Sequence, residues 1–307
     1  MRKVMNIKGL DFDYDSETVP NYQDIISSWK NDYDYEVVDL GVSSKPDRNI
    51  YAIKVGDFSV NKPTIFIIGS HCGREFHSGI YLPVFMDMLD KPQNYDVDTA
   101  YFTRIKTKFN IICIPIHNPA SWRYMDYTDD PTGGRANWNG VDLNRNYPYK
   151  WEEVNEGVMG WTYKGPNAGS EPETQLVMSI MSAYKPVMFI DVHTEGDTSL
   201  TNGYFHSNAN MSKYRAMLTD DARRVYKLNT GVDVTESYYN GTNPDSPGQA
   251  RPWAAQQTSI TGDNVMSVII EIGGGQDNQT ISYNGMNLLY MFLRYADVYF
   301  SNKNLSL

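Results

Sequence analysis

The sequence has too few cysteines for a disulfide framework: Cys72 and Cys113 are the only two in 307 residues. Cys113 lies in the apolar run IICIPI and reads as a buried thiol, so a reducing compartment is allowed. No run approaches the roughly 20 apolar residues of a membrane span. The opening residues, MRKVMNIKGLDFDYD, are basic but lack the apolar segment of a Sec signal. Without signal or span, the expected location is the cytoplasm, or a phage or virion particle. Basic residues are also in deficit: 27 Lys and Arg stand against 37 Asp and Glu, a net charge of −10. Neutralising phosphates takes a basic patch, so nucleic-acid and anionic-membrane partners are excluded. Low-complexity tracts, internal repeats and linkers are absent. What remains is an ordinary globular composition, 41% hydrophobic and 21% charged, able to bury a core. A single domain over residues 1–307 is expected, with 1–18 as an N-terminal extension and no inhibitory pro-domain.

The most informative stretch is TIFIIGSHCGRE, Thr64 to Glu75. Ile65 to Ile68 form an uninterrupted apolar run of strand length, which fits a strand covered on both faces. Gly69, Ser70 and Gly73 supply a sharp exit, and a helix over 78–90 follows. His71 and Glu75 therefore arrive at the carboxyl end of a strand, where open α/β sheets place their ligands. Upstream, residues 20–30 read as a helix, and EVVDLGV and IYAIKVG as strands joined by the turn SSKPDRN. Downstream, FNIICIPIHNP is another buried strand, after which Ala120 to Pro172 shows little periodicity. Structureless stretches of that length in a compact domain are usually functional.

EPETQLVMSIMSAY restores a helical pattern, with Ser170 as N-cap and Glu173 completing a capping box. VMFIDVH is a strand ending in His193, and VMSVIIEIGG a strand ending in Glu271. Residues 211–228 read as an amphipathic helix, 229–262 as loop-rich, and NGMNLLYMFLRYADVYF as a closing helix. Alternating strands and helices give an α/β fold with helices on both faces of the sheet. Its strand ends carry His71 with Glu75, His193, and Glu271. Two neutral imidazoles and one carboxylate form the ligand set of a catalytic zinc with a fourth position left for water. A further carboxylate beside that water would be its general base. His117, His206 and Arg48 read as packing, loop or turn residues.

GVDLNRNYP, Gly140 to Pro148, resembles the signature of the zinc carboxypeptidases of the carboxypeptidase A type. Other pieces fall in that family's order: the His/Glu turn, Asn118-Pro119 after a strand, an Arg before GVDLNRN, the SEPET helix start, DVHTEG, and a Glu on a late strand. The resemblance runs from about Tyr22 to Tyr295 and implies a single domain with a mixed central β-sheet. It implies one Zn2+ per chain held by His71, Glu75 and His193, and Glu271 as the base that deprotonates the attacking water. Arg135 would polarise the scissile carbonyl. Asn144 and Arg145 would clamp the terminal carboxylate of a peptide substrate, as the planar guanidinium fork suits. That clamp makes such an enzyme an exopeptidase.

Two departures stand out. The family's HxxE spacing is one residue longer here, His71-Cys72-Gly73-Arg74-Glu75, with Gly73 expected to let the backbone absorb the insertion and His77 as the competing ligand. The mobile-loop tyrosine has no clear counterpart, Tyr238 and Tyr239 being the candidates. Ala254 to Asp263, which borders the leaving-residue pocket in this resemblance, offers the polar Gln256, Gln257 and Asp263 and points to small polar or cell-wall-type peptides. Two other readings are a zinc amidohydrolase acting on N-acyl amino acids, and a metal-free binding module of the same fold. The intact GVDLNRN favours the peptidase over the first; Glu271 and Arg135 argue against the second.

Overall fold

The computed structural model describes residues 10, 12, 18–122, 133–155, 162–195, 202–205, 246–273 and 277–301. Among them, seven strands form one sheet: β1 (Glu36–Val42), β2 (Asn49–Val55), β3 (Thr64–Gly69), β4 (Asn110–Ile114), β5 (Met188–Glu195), β6 (Asn202–Phe205) and β7 (Met266–Gly273), in the order β1-β2-β4-β3-β5-β7-β6. The central pairs β4-β3, β3-β5 and β5-β7 are parallel, whereas β1-β2, β2-β4 and β6-β7 are antiparallel. The sheet is therefore mixed, and β3 lies inside it with every residue buried, as its unbroken apolar run requires.

Strand alternation divides the core into two layers. Ile65 and Ile67 of β3, with Met188, Ile190 and Val192 of β5, face helices α1 (Tyr22–Asp32), α2 (His77–Asp90), α3 (Thr99–Lys108) and α6 (Asn278–Ser301). Phe66, Ile68 and Phe189 face the other way, onto Val177, Ile180 and Met181 of α4 (Pro172–Tyr184) and onto the short α5 (Ala250–Ala254). Each fully buried Ile or Phe of these layers contributes about 1.5–3 kcal/mol relative to exposure. Asp191 and His193 share the parity of Phe189 on β5, and Glu271 alternates with Ile270 and Ile272 on β7. All three polar residues thus stand on the α4/α5 side of the sheet.

Several local expectations need correction. Ser170 does not cap α4: Glu171 occupies the N-cap position with Pro172 at N1, and Glu173 turns inward to accept hydrogen bonds from the Ser44 N–H (2.8 Å) and Ser44 Oγ (2.5 Å). The capping-box geometry gives way to this longer-range bond to the β1-β2 turn. Helix α3 is additional; Asp98 caps it by accepting from the Tyr101 N–H at 3.0 Å, and Tyr101, Phe102 and Ile105 are its buried face. Strand β6 is also additional, and α5 interrupts the stretch expected as loop. Phe12 of the N-terminal extension is buried in the core and meets Tyr283 of α6 edge-on at 6.0 Å. Residues 211–228, His206, Tyr238 and Tyr239 lie outside the described residues. No helix among the described residues is long and apolar enough to cross a membrane.

Candidate metal centre and active site

Beyond β3 the chain turns through Ser70, whose φ of +51° lies in the left-handed region that non-glycine residues seldom enter. Ser70 Oγ lies 2.8 Å from Ser78 Oγ and donates to the Glu75 carbonyl at 3.1 Å, tying the turn to the first residues of α2. Asn118 donates through Nδ2 to the His71 carbonyl at 3.0 Å and through its backbone N–H to Ser70 at 3.0 Å. Gly73 serves a purpose other than the one expected. Its φ is not in the left-handed region; a Cβ there would collide with the Ser121 carbonyl. Gly73→Ala is therefore expected to push the His71–Glu75 turn away from Ser121 at a cost of about 1–3 kcal/mol. Thermal melting checks this, and an unchanged Tm would contradict the packing argument.

The turn brings His71, fully buried, against β5. His71 Nδ1 lies 2.8 Å from Asp191 Oδ1, and the same oxygen is 3.0 Å from His193 Nε2. The two imidazoles stack with centroids 5.3 Å apart and planes 7° from parallel. His193 Nδ1 is 3.1 Å from Glu75 Oε2, which also accepts from the Thr194 N–H at 3.1 Å. His71 Nε2 is 3.3 Å from the Tyr147 hydroxyl. Glu271 is half-buried and in register with His193 across the β5-β7 pair.

Burial opposes charge on His193, Asp191 and Glu75, but their mutual attraction overrides it. Burial pulls the His193 pKa down, yet Asp191, Glu75 and Glu271 together raise it well above the ordinary histidine value. Burial pushes Asp191 and Glu75 up, and the neighbouring imidazoles bring both below their usual range. A pocket that draws a buried imidazole positive favours a cation. The donor set suits zinc: nitrogens of His71 and His193 and an oxygen of Asp191 lie within 4.8 Å of one another, the one such group among the described residues. Asp191 Oδ2 has no hydrogen-bond partner although its residue is fully buried. Glu75 borders this group through His193. His77 does not join it; its Nε2 is 2.8 Å from Asn278 Oδ1 at the start of α6, and its ring stacks on Phe76.

The aperiodic segment forms the wall beside this cluster. Asp142 caps the tight turn Leu143–Arg145 by accepting from the Asn144 N–H at 3.0 Å. Asn144 Nδ2 sits 3.3 Å from His193 Nε2, while its Oδ1 accepts from the Ala250 N–H at 3.0 Å and so joins the turn to α5. Arg145 donates to the Asn144 carbonyl at 2.6 Å. Arg135 Nε donates to Asp142 Oδ2 at 2.7 Å; burial lowers its pKa, but Asp142 more than compensates and keeps it charged. Asn137 Nδ2 donates to Glu171 (2.7 Å) and Glu173 (3.2 Å), which anchors the Arg135 loop to α4.

The structure thus gathers His71, Asp191 and His193 at one spot, joins the expected ligand Glu75 to it only through the second nitrogen of His193, sets Glu271 in register with His193, and places Asn144 in contact with His193. Arg135 and Arg145 are joined to that wall through Asp142 and Asn144. Sequence reasoning passed over Asp191, Tyr147 and the position of His117. Asp191 carried a readable signal: two residues before His193 on a strand, it must share that residue's face. His117 packs its ring edge-on to His71 at 4.5 Å and bonds the Glu173 carbonyl through Nε2; burial lowers its pKa to about 3. Arg48 donates to the Pro119 carbonyl at 2.8 Å, bracing the segment that carries Ser121. The fully buried Arg251 follows the Ala250 N–H that holds Asn144.

Residues 30–295 match the family model described as zinc carboxypeptidase. Carboxypeptidase B of Astacus astacus is 27% identical over 158 residues, 48% of this chain and 50% of that protein. Murein peptide amidase A of Escherichia coli (strain K12) is 37% identical over 71 residues, 20% of this chain and 29% of that protein. The solved carboxypeptidase A from Helicoverpa armigera superposes with a TM-score of 0.65 at 16% identity, covering 91% of this chain and 73% of that one, a likeness of fold. The chain spans about half or less of the length of the curated relatives it matches.

Proposed function

This chain belongs to the zinc carboxypeptidase family, and from that premise we propose that it is a zinc-dependent carboxypeptidase hydrolysing the C-terminal peptide or amide bond of a peptide with a free carboxylate. The observation that supports the reading is the stacking of His71 on His193, with Glu75 bonded to His193 and Glu271 in register with it, against the Asn144–Arg145 turn. His71, Glu75 and His193 would hold one zinc, which when bound supplies a Lewis acid that activates water and polarises the scissile carbonyl. Glu271 takes the proton of the attacking water and returns it to the departing amine. Arg135, held charged by Asp142, faces the negative charge that develops on the carbonyl oxygen. Arg145 and Asn144 bind the terminal carboxylate and fix the last peptide bond in place.

Arg145→Ala tests the exopeptidase assignment. Loss of a charge-assisted hydrogen bond is expected to raise KM for peptides with a free terminus roughly 10–100-fold while kcat changes little. The wild type should prefer a free C-terminus over the amidated peptide, and the variant should lose that preference. Equal KM values for variant and wild type would remove Arg145 from the clamp. Cell-wall peptides ending in diaminopimelate belong in the substrate panel, because the match to a murein peptide amidase favours that class.

A further inference from the structure

Asn137 and Glu173 have no part in the chemistry assigned above, yet every polar position of the Asn137 side chain is taken. Its Nδ2 donates to Glu171 Oε2 at 2.7 Å and to Glu173 Oε2 at 3.2 Å, while its Oδ1 accepts from the Asn139 N–H at 3.1 Å and the Val141 N–H at 3.0 Å. A primary amide has two donor hydrogens and two acceptor sites, so this side chain has only one orientation. Its backbone N–H also donates to the Val141 carbonyl at 2.9 Å. Asn137 thereby closes the loop that runs from Arg135 to its partner Asp142. Glu173 is fully buried, and its Oε1 accepts from the Ser44 N–H and the Ser44 Oγ. Both of its oxygens face donors, as only a carboxylate allows. The Glu173 carbonyl meets His117 Nε2 at 3.0 Å, and the His117 ring stands edge-on to His71 at 4.5 Å. On the other side of Arg135, the Gly134 carbonyl accepts from the Arg74 N–H at 3.3 Å, within the turn from His71 to Glu75.

We propose that Glu173 is a positioning residue for Arg135: through Asn137 it fixes the loop that bears the guanidinium, and through its carbonyl it ties that loop to the ring behind His71. No helix or strand holds Arg135, so its placement depends on these bonds. A cation stabilises a developing oxyanion best when it is already in place. Misplacement by about 1 Å, even from a remote substitution, can cost roughly 10²-fold in rate. This role rests on the carboxypeptidase reading given above and on its use of Arg135.

The test is a double-mutant cycle of Glu173→Gln and Arg135→Ala, read as kcat and KM on a blocked dipeptide with a free C-terminus, with the zinc content of each preparation. Glutamine keeps the size of glutamate, but its NH2 must face either the Ser44 N–H or Asn137 Nδ2, and a donor then meets a donor. Glu173→Gln is expected to lower kcat about 10–100-fold, with KM and zinc content close to wild type. In the Arg135→Ala background there is no guanidinium to misplace, and the same substitution is expected to change kcat by less than about twofold. Asn137→Ala should behave as Glu173→Gln does in both backgrounds, and it takes that variant's place if circular dichroism shows the glutamine chain unfolded. Two results overturn the positioning role alone: an unchanged kcat in Glu173→Gln, or a loss of equal size with and without Arg135. A wild type that does not cleave the dipeptide overturns the carboxypeptidase reading, and a kcat that survives Arg135→Ala overturns its use of Arg135; either takes this role with it.

Discussion

Glu271→Gln is expected to lower kcat by roughly 10²–10⁴-fold, the usual contribution of a positioned general base. Zinc content should be unchanged. The substitution keeps size and hydrogen-bonding shape but removes the group that accepts the proton of water and passes it to the amine. Glu271 stands on β7 in register with His193, on the face shared by Asp191 and His193, so its carboxylate is supplied by the rigid centre of the sheet. Its negative charge also contributes to the raised pKa of His193. Steady-state kinetics with a blocked dipeptide and elemental analysis of the same preparation separate chemistry from binding. A variant retaining near wild-type kcat would show that another group moves the proton.

His193→Ala is expected to abolish both zinc uptake and hydrolysis, and to destabilise the metal-free chain as well. In that chain His193 lies between Glu75 at 3.1 Å and Asp191 at 3.0 Å, both buried. Removing the imidazole leaves two buried carboxylates with their compensation reduced, a loss of about 3–5 kcal/mol for a broken buried pair. The pH window follows from the directions of the shifts. His193 is raised above its ordinary 6.5, so its contribution is complete below that pH and is lost as pH rises through the folded value. Asp191 and Glu75 are lowered from 3.8 and 4.5, so theirs is present above those values and lost as pH falls through the folded ones. The gap in Tm between chelated wild type and His193→Ala should therefore be widest between pH 4.5 and 6.5 and shrink on either side. A gap that does not vary with pH would mean that packing, not charge, accounts for the loss.

The sheet was legible where burial leaves no alternative. Ile65 to Ile68 cannot be an edge strand, and the structure encloses them between β4 and β5. Residues two apart on a strand share a face, so VMFIDVH fixes which residues stand with His193, whereas the place of His193 opposite Glu271 comes from the β5-β7 register. The same rule applies to Asp191, which went unread because an acid inside an apolar strand looks like a break in the pattern rather than part of a site. The capping box at Ser170 failed for a different reason. Its glutamate is claimed by Ser44, 129 residues away in sequence, and no local pattern reports such a partner. The need for glycine at position 73 was visible, but its cause was not: contact with Ser121 is a tertiary fact. The wall from Arg135 to Arg145 has no periodicity to read because hydrogen bonds through Asp142, Asn144 and Asn137, rather than a helix or strand, hold it.

The most direct measurement is the zinc content, by elemental analysis, of protein purified without chelator or metal-affinity resin, together with its His71→Ala, His193→Ala and His77→Ala variants. The expected result is about one zinc per chain in the wild type and in His77→Ala, and none in the other two. A wild type without zinc, and unable to take it up from buffered zinc, would contradict the assignment and leave a metal-free binding module as the better description.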